Sequence, residues 1–396
     1  MANYTISERA KNLTSSAIRE ILKVTEKQEI ISFAGGLPSP HGFPVDELKY
    51  AFNKVLSEEG KIALQYGTTE GYSKLREWIV NHFNNSGSNI SIDNVMIVSG
   101  SQQALDLLGK TLIDENSDIL VESPTYLGAL QSLSLYNPNF ITIETDEGGL
   151  IPERISSSIT NNTRFLYALP NFQNPTGRTL SLSRRIKLIE FASDLKLSII
   201  EDDPYGELRY SGKDIPSLLT LSKNTNANII RLGSFSKILA PGLRIGYIIA
   251  DKDLIKKLVQ AKQATDLHTS TITQMVVYET IKNGFLKRHL PKIRETYKKQ
   301  GLCMLDTMEK SFPKSVNWTR PEGGMFLWVT LPKNINSNEL LIKAIENNIA
   351  FVPGNSFYAK NPEYNNMRLS FATVSEEKIQ KGINILGNII KNYLNI

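Results

Sequence analysis

Through its middle the chain alternates short, continuous apolar runs with longer stretches whose apolar residues recur at helical spacing. The runs are Val95–Val98, Asp118–Glu122, Phe140–Glu144, Arg164–Leu169, Leu197–Glu201, Asn228–Leu232 and Arg244–Ala250. Most are rich in Val, Ile and Leu with no polar face, as suits strands covered on both sides. The segments Gln102–Ile113, Tyr126–Leu135 and Leu182–Leu195 read as helices. In the first of them Ala104, Leu105, Leu108 and Leu112 fall on one stripe. This alternation predicts an open α/β fold with a mostly parallel sheet.

After Asp253 one long helical pattern runs to about Lys310, and then the character changes. A strand at Met325–Thr330, a helix at Ser337–Asn347, a strand near Arg368–Ala372 and a terminal helix from Ser375 predict a smaller α+β domain. A helix near Ser15–Glu26 is expected to join it. The division expected is an N-terminal segment over 1–45, a large domain over 46–290 and a small domain over 291–396.

Composition narrows the chemistry. With 396 residues, 41% hydrophobic and 21% charged, the chain can bury a sizeable core and is neither disordered nor fibrous. A single cysteine, Cys303, excludes a disulfide framework and a cysteine-based zinc site. Four histidines (His41, His82, His268 and His289) lack H-x-x-x-H spacing, which argues against a histidine metal site. The net charge of +5 is mild, and the basic stretch from Lys287 to Lys299 is interrupted by Glu295, so no nucleic-acid partner is expected. Met1–Lys23 has no apolar block of signal-peptide length, and no run approaches the roughly eighteen apolar residues of a membrane span. The cytoplasm is the expected location.

Ligands of open α/β sheets gather outside the carboxyl ends of the strands, so the residues that follow each run are informative. Ser99-Gly100-Ser101-Gln102 opens a helix, either as an ordinary cap or as an anion-binding helix end. It matches neither G-x-G-x-x-G nor G-x-x-x-x-G-K-[ST]. Asn174-Pro175-Thr176-Gly177 is a turn, or it offers the Asn174 amide to a ligand oxygen. Glu201-Asp202-Asp203-Pro204-Tyr205 is a solvated turn, or it holds a buried cationic nitrogen and a phenol-bonded oxygen. Ser234-Phe235-Ser236-Lys237, followed by Arg244, supplies two hydroxyls and a guanidinium for a phosphate beside an amine able to form an imine. Pyridoxal 5'-phosphate requires these parts together: a lysine for its aldehyde, an anion clamp, a carboxylate for its pyridinium nitrogen and donors to its phenolate oxygen.

On these motifs the sequence resembles the fold-type I pyridoxal-phosphate aminotransferases of class I/II, and within them the 2-aminoadipate and kynurenine aminotransferase branch. The likeness spans nearly the whole chain, including Ile18-Arg19-Glu20-Ile21, Phe33-Ala34-Gly35-Gly36-Leu37-Pro38 and Arg244-Ile245-Gly246. It implies a large domain built on a seven-stranded sheet. Lys237 would then carry the cofactor and act as base and acid in the proton shift. Asp202 would pair with the pyridinium, Tyr205 and Asn174 would hold the phenolate oxygen, and Tyr126 would stack on the ring. Ser101, Gln102, Ser234, Ser236 and Arg244 would hold the phosphate. The resemblance also implies a homodimer with shared sites, Tyr66 coming from the partner. Arg368 would grip the substrate carboxylate (its alternative is a strand arginine with its head in water), and Gly36 would bring bare backbone to the substrate. Arg19 would meet an acidic side chain, unless it is a surface residue paired with Glu20 or Glu26. The implied reaction moves an amino group from 2-aminoadipate, an aromatic or a branched-chain amino acid to 2-oxoglutarate by a ping-pong cycle. A β-lyase or decarboxylase on the same cofactor, and a regulatory aminotransferase-like domain, are the alternatives.

Overall fold

The computed structural model describes residues 5–11, 21 and 29–395. Seven strands form the large sheet: β1 (Val95–Val98), β2 (Asp118–Glu122), β3 (Asn139–Ile143), β4 (Thr163–Ala168), β5 (Ser198–Asp202), β6 (Ile229–Ser234) and β7 (Gly246–Ile249). Their order is β1-β7-β6-β5-β4-β2-β3, and every pairing is parallel except the two made by β7. The side chains of β1, β2 and β6 are all buried, which is why these strands show no polar face.

Each face of the sheet is covered. On one, Met96, Val98, Tyr167, Ile200, Leu232 and Ile248 pack against α3 (Ser101–Leu112), α4 (Leu127–Ser134) and α6 (Lys252–Asp266). On the other, Leu166, Ala168, Ile199 and Ile229 meet α5 (Leu182–Asp194), whose Ser181 caps the first turn by accepting from the Arg184 N–H. Among the described residues a single helical turn (Glu8–Lys11) and two longer helices, α1 (Val45–Ala63) and α2 (Ser73–Asn85), precede the sheet; neither longer helix stood out in the sequence.

The long helical pattern after Asp253 is three helices rather than one: α6, α7 (Thr271–Ile281) and α8 (Phe285–Ser311). The first break falls at Leu267, which adopts φ 64° and ψ −61°, and Ser270 then caps α7. The second falls at Gly284, at φ 69°, where a side chain would be strained. Beyond α8 a four-stranded antiparallel sheet has the order β8 (Asn317–Trp318), β9 (Phe326–Thr330), β11 (Asn366–Ser370), β10 (Val352–Pro353). Helices α9 (Ser337–Glu346) and α10 (Glu376–Leu394) accompany it. One apolar cluster runs from Leu75, Ile79 and Phe83 of α2 through Tyr297 and Met304 of α8 to Leu327, Leu369 and Ile383, so the two sheets share a core. Among the described residues, no helix is long and apolar enough to cross a membrane.

Candidate active site

Alternation along β5 decides which acid goes where. Glu201 and Asp203 point to one side of the sheet and Asp202, the last residue of the strand, to the other. Glu201 and Asp203 are neutralised on their own side: Arg231 of β6 reaches Glu201 Oε1 at 3.0 Å and Asp203 Oδ2 at 2.8 Å. Burial works against the Arg231 charge, but these two carboxylates outweigh it. Removing one partner from such a buried set costs about 3–5 kcal/mol. Asp203 also accepts from the Gly206 N–H at 2.7 Å and the Asn171 amide at 2.8 Å, which ties the loop carrying Tyr205 to the loop carrying Asn174.

Asp202 is 2% exposed. Its Oδ2 accepts from the Tyr167 hydroxyl at 2.7 Å, whereas its Oδ1 is buried without a partner. Burial pushes the carboxyl up to about 7; the Tyr167 bond opposes the rise, Asp203 adds to it and Arg231 counters it. Tyr126, half-buried at the start of α4, lies within the electrostatic reach of Asp202, Arg368 and Arg244. Its phenol is pushed up to about 12, chiefly by burial.

Lys237 sits just beyond β6, half-buried, and its Nζ donates to the Gly36 carbonyl at 2.8 Å. Its ammonium is pulled down to about 8, first by burial and then by the charges of Arg368 and Arg244. Arg368, 1% exposed in the middle of β11, donates from Nη1 to Asn174 Oδ1 at 2.8 Å and from Nη2 to the Ala34 carbonyl at 2.7 Å. Its Nε is buried and unpartnered. The guanidinium rests over Phe326 and Phe357, 4.4 and 5.1 Å from their ring centroids. The other end of Asn174 faces the Tyr205 hydroxyl at 3.5 Å, and burial raises that phenol.

The residues expected to form an anion clamp are brought together by strand register. Gly246 of β7 lies opposite Ser234 on one side and Val98 on the other, so the ends of β6 and β1 meet beside it. A Cβ on Gly246 would come within 3.0 Å of the Ser101 nitrogen. Arg244, in the left-handed region at φ 52°, donates to the Ser99 carbonyl at 3.3 Å and lies so close to Gly100 that a Cβ there would meet its Nη2 at 2.6 Å. Glycine at 100, at φ 84°, therefore keeps the start of α3 open to the guanidinium. Ser234 Oγ accepts from the Ser236 N–H at 3.1 Å, and the Gln102 side chain donates to the Gly128 carbonyl at 2.9 Å.

One expected residue is not joined to this cluster. Tyr66 is 78% exposed, and its ring meets His268 edge-on at 5.8 Å. Arg19 lies outside the described residues. Conversely, Tyr167, Asp203, Arg231 and the Ala34 carbonyl were not anticipated. Tyr167 reads as one more apolar residue of a buried run until β4 and β5 are paired.

A buried carboxylate oxygen with no partner is costly unless a donor arrives. The protonated ring nitrogen of pyridoxal 5'-phosphate is such a donor, and the Gly100 opening beside Arg244 suits its phosphate, so the residues present fit this cofactor. With the sheet order above, the site belongs to a pyridoxal-phosphate enzyme of fold type I. The chain is a member of the aminotransferase class I and II family, whose model matches residues 29–386. It is 42% identical to a 2-aminoadipate transaminase of Thermus thermophilus, with 97% of this chain and 96% of the relative covered. It is 43% identical to an aromatic-amino-acid aminotransferase of Thermococcus litoralis, with coverage of 97% and 94%. The crystal structure of an alpha-aminoadipate aminotransferase from Thermus thermophilus, complexed with N-(5'-phosphopyridoxyl)-L-leucine, superposes with a TM-score of 0.92 at 40% identity, covering 98% of each chain.

Proposed function

We propose that this aminotransferase moves the amino group of 2-aminoadipate, an aromatic or a branched-chain amino acid to 2-oxoglutarate by a ping-pong cycle, as a homodimer in the cytoplasm. The observation that carries the site assignment is the free, buried Oδ1 of Asp202 at the end of β5, with Lys237 just beyond the neighbouring strand β6, its ammonium pulled down by burial and two guanidiniums. When bound, the cofactor supplies an aldehyde that captures the substrate amine and a ring that draws electron density from the α-carbon. Lys237 Nζ, poised near neutral pH, takes up the α-proton and gives it back. Asp202 Oδ1 accepts from the ring nitrogen. Tyr205 and the Asn174 amide hold the phenolate oxygen, and Tyr126 covers the ring. Ser101, Gln102, Ser234, Ser236 and Arg244 bind the phosphate. Arg368 keeps its unused Nε for the substrate α-carboxylate, while Gly36 leaves room for the substrate.

Donor relationships of the relatives support the substrate range: one is named for 2-aminoadipate, one for aromatic amino acids, and the solved relative carries a leucine adduct. Incubation with 2-aminoadipate and 2-oxoglutarate is expected to give glutamate and the matching 2-oxo acid. With donor alone, one equivalent of 2-oxo acid per site should form. Ammonia with pyruvate, from a suitable donor, would instead mark lyase chemistry. Exposed Val45, Tyr50, Ile62 and Leu64, on α1 and just after it, support a second copy that covers them and receives Tyr66. The division into 1–45, 46–290 and 291–396 is part of the same reading, since it puts Arg368 and Lys237 on different domains.

Arg19→Ala is expected to lower kcat/KM for 2-aminoadipate about tenfold or more, the loss of one charged hydrogen bond, and to spare leucine and phenylalanine. Equal losses on all three would take side-chain reading away from Arg19.

The rate at which apoenzyme takes up cofactor should rise with pH through 7 to 8. Attack requires neutral Lys237, pulled down to about 8, and ionised Asp202, pushed up to about 7, strengthens binding, so raising pH favours both. Stopped-flow measurement of loading checks this; a rate flat between those values contradicts it.

A further inference from the structure

Tyr167 lies in β4 with its side chain wholly out of solvent. Parallel pairing sets Tyr167 opposite Ile200 of β5, and the next β5 side chain on the same face is that of Asp202. Here the Tyr167 hydroxyl donates to Asp202 Oδ2 at 2.7 Å, while Oδ1 stays free. The neighbours of Tyr167 along the strand, Phe165, Leu166 and Ala168, are apolar and buried, so packing alone asks for no hydroxyl at this position. Burial and the Asp202 charge hold the phenol well above its ordinary range, which keeps it a donor at any pH where the enzyme works.

A terminal carboxylate torsion is soft, so a lone Asp at a strand end would not choose which oxygen it presents. Pinning one oxygen leaves the other with a fixed direction.

We propose that Tyr167 is a positioning residue for the cofactor: its hydroxyl holds one oxygen of Asp202 so that the other meets the protonated ring nitrogen of pyridoxal 5'-phosphate. This rests on the reading of Asp202 given above. Tyr167 touches neither cofactor nor substrate in this scheme; it acts through Asp202 alone. Its hydrogen bond also favours the charged carboxylate, which a neighbouring Asp203 and burial disfavour and only Arg231 otherwise supports. Tyr126 and Tyr205, the other ionisable side chains coupled to Asp202, are phenols that burial keeps neutral.

The test compares two ligands on apoenzyme: pyridoxal 5'-phosphate and its 1-deaza analogue, in which a C–H replaces the ring nitrogen. Affinity is read by equilibrium dialysis for wild type, Tyr167→Phe and Asp202→Asn. Tyr167→Phe keeps the ring that fills the core. It is expected to weaken pyridoxal-phosphate binding about tenfold, as for one charged hydrogen bond, and to leave the analogue's affinity unchanged. Equal weakening of both ligands would reduce Tyr167 to packing, and no change in either would overturn the proposal too. Asp202→Asn must show the same selective loss. If it does and Tyr167→Phe does not, Tyr167 alone is excluded; if it does not, the reading of Asp202 fails and takes the proposal with it. Binding of the analogue reports that each variant is folded.

Discussion

Lys237→Ala is expected to reduce turnover by roughly 10⁴-fold or more, the range that a positioned proton-transfer group supplies, with loss of the covalent link in addition. The variant should also fail to fix cofactor to the chain on borohydride reduction, where the wild-type Lys237 peptide gains the phosphopyridoxyl mass. Among the described residues, no other lysine is as well placed. Lys262 is fully buried, but it is committed to Asp266 and Gln103 on and beside α6. Lys292 shares with Lys237 a cavity of about 240 Å³, also lined by His41 and His289, yet it has no part in the Asp202 and Arg368 cluster. The amine at 237 is distinguished by its surroundings: burial and two guanidiniums lower the cost of losing its proton, and the Gly36 carbonyl gives it a fixed direction. Wild-type turnover in Lys237→Ala, or reductive labelling that persists at Lys292, would remove Lys237 from its role.

How much of this was legible in the sequence follows from which interactions are local. Strands buried on both faces announce themselves, and Val95–Val98 and Asp118–Glu122 lie where their apolar runs do. The residues after the strands were legible for the same reason, because a parallel sheet brings its carboxyl ends to one mouth whatever the order of its strands. Arg244 was taken as the start of a strand, but its left-handed backbone ends a turn, and β7 begins at Gly246. Helical periodicity carried across Leu267 and Gly284, since side-chain spacing says little of a backbone break; the Ser270 cap and Gly284 were the available signals. β8 and β10, two residues each, are too short to show any period. What the sequence could not disclose is register. Tyr167 beneath Asp202, Arg231 between Glu201 and Asp203, and Asn174 against Arg368 are separated by 28 to 194 positions and become neighbours only when strands pair.

Asp202→Asn tests the electrostatic half of the site, and kcat is expected to fall about 10²–10³-fold, the loss seen when one preorganised stabilising group is removed. The substitution keeps the shape of the side chain and removes its charge. Asn can still accept from Tyr167 through its carbonyl oxygen, but the position of Oδ1 is then taken by an amide N–H₂, a donor turned toward a ring nitrogen that also carries a hydrogen. The ring nitrogen must lose its proton or the amide must turn away, and either outcome weakens the ring as an acceptor of electron density from the α-carbon. The phosphate clamp proposed at Ser101, Ser234 and Arg244 is untouched, so cofactor should remain bound at saturating concentration and the loss should fall on kcat rather than on loading. Asp202→Glu makes the complementary test. It keeps the charge but moves the carboxylate by one methylene, and its activity should fall between those of Asn and wild type. Near-normal kcat in Asp202→Asn would refute the pairing; an Asp202→Glu variant no better than Asn would show that direction matters as much as charge.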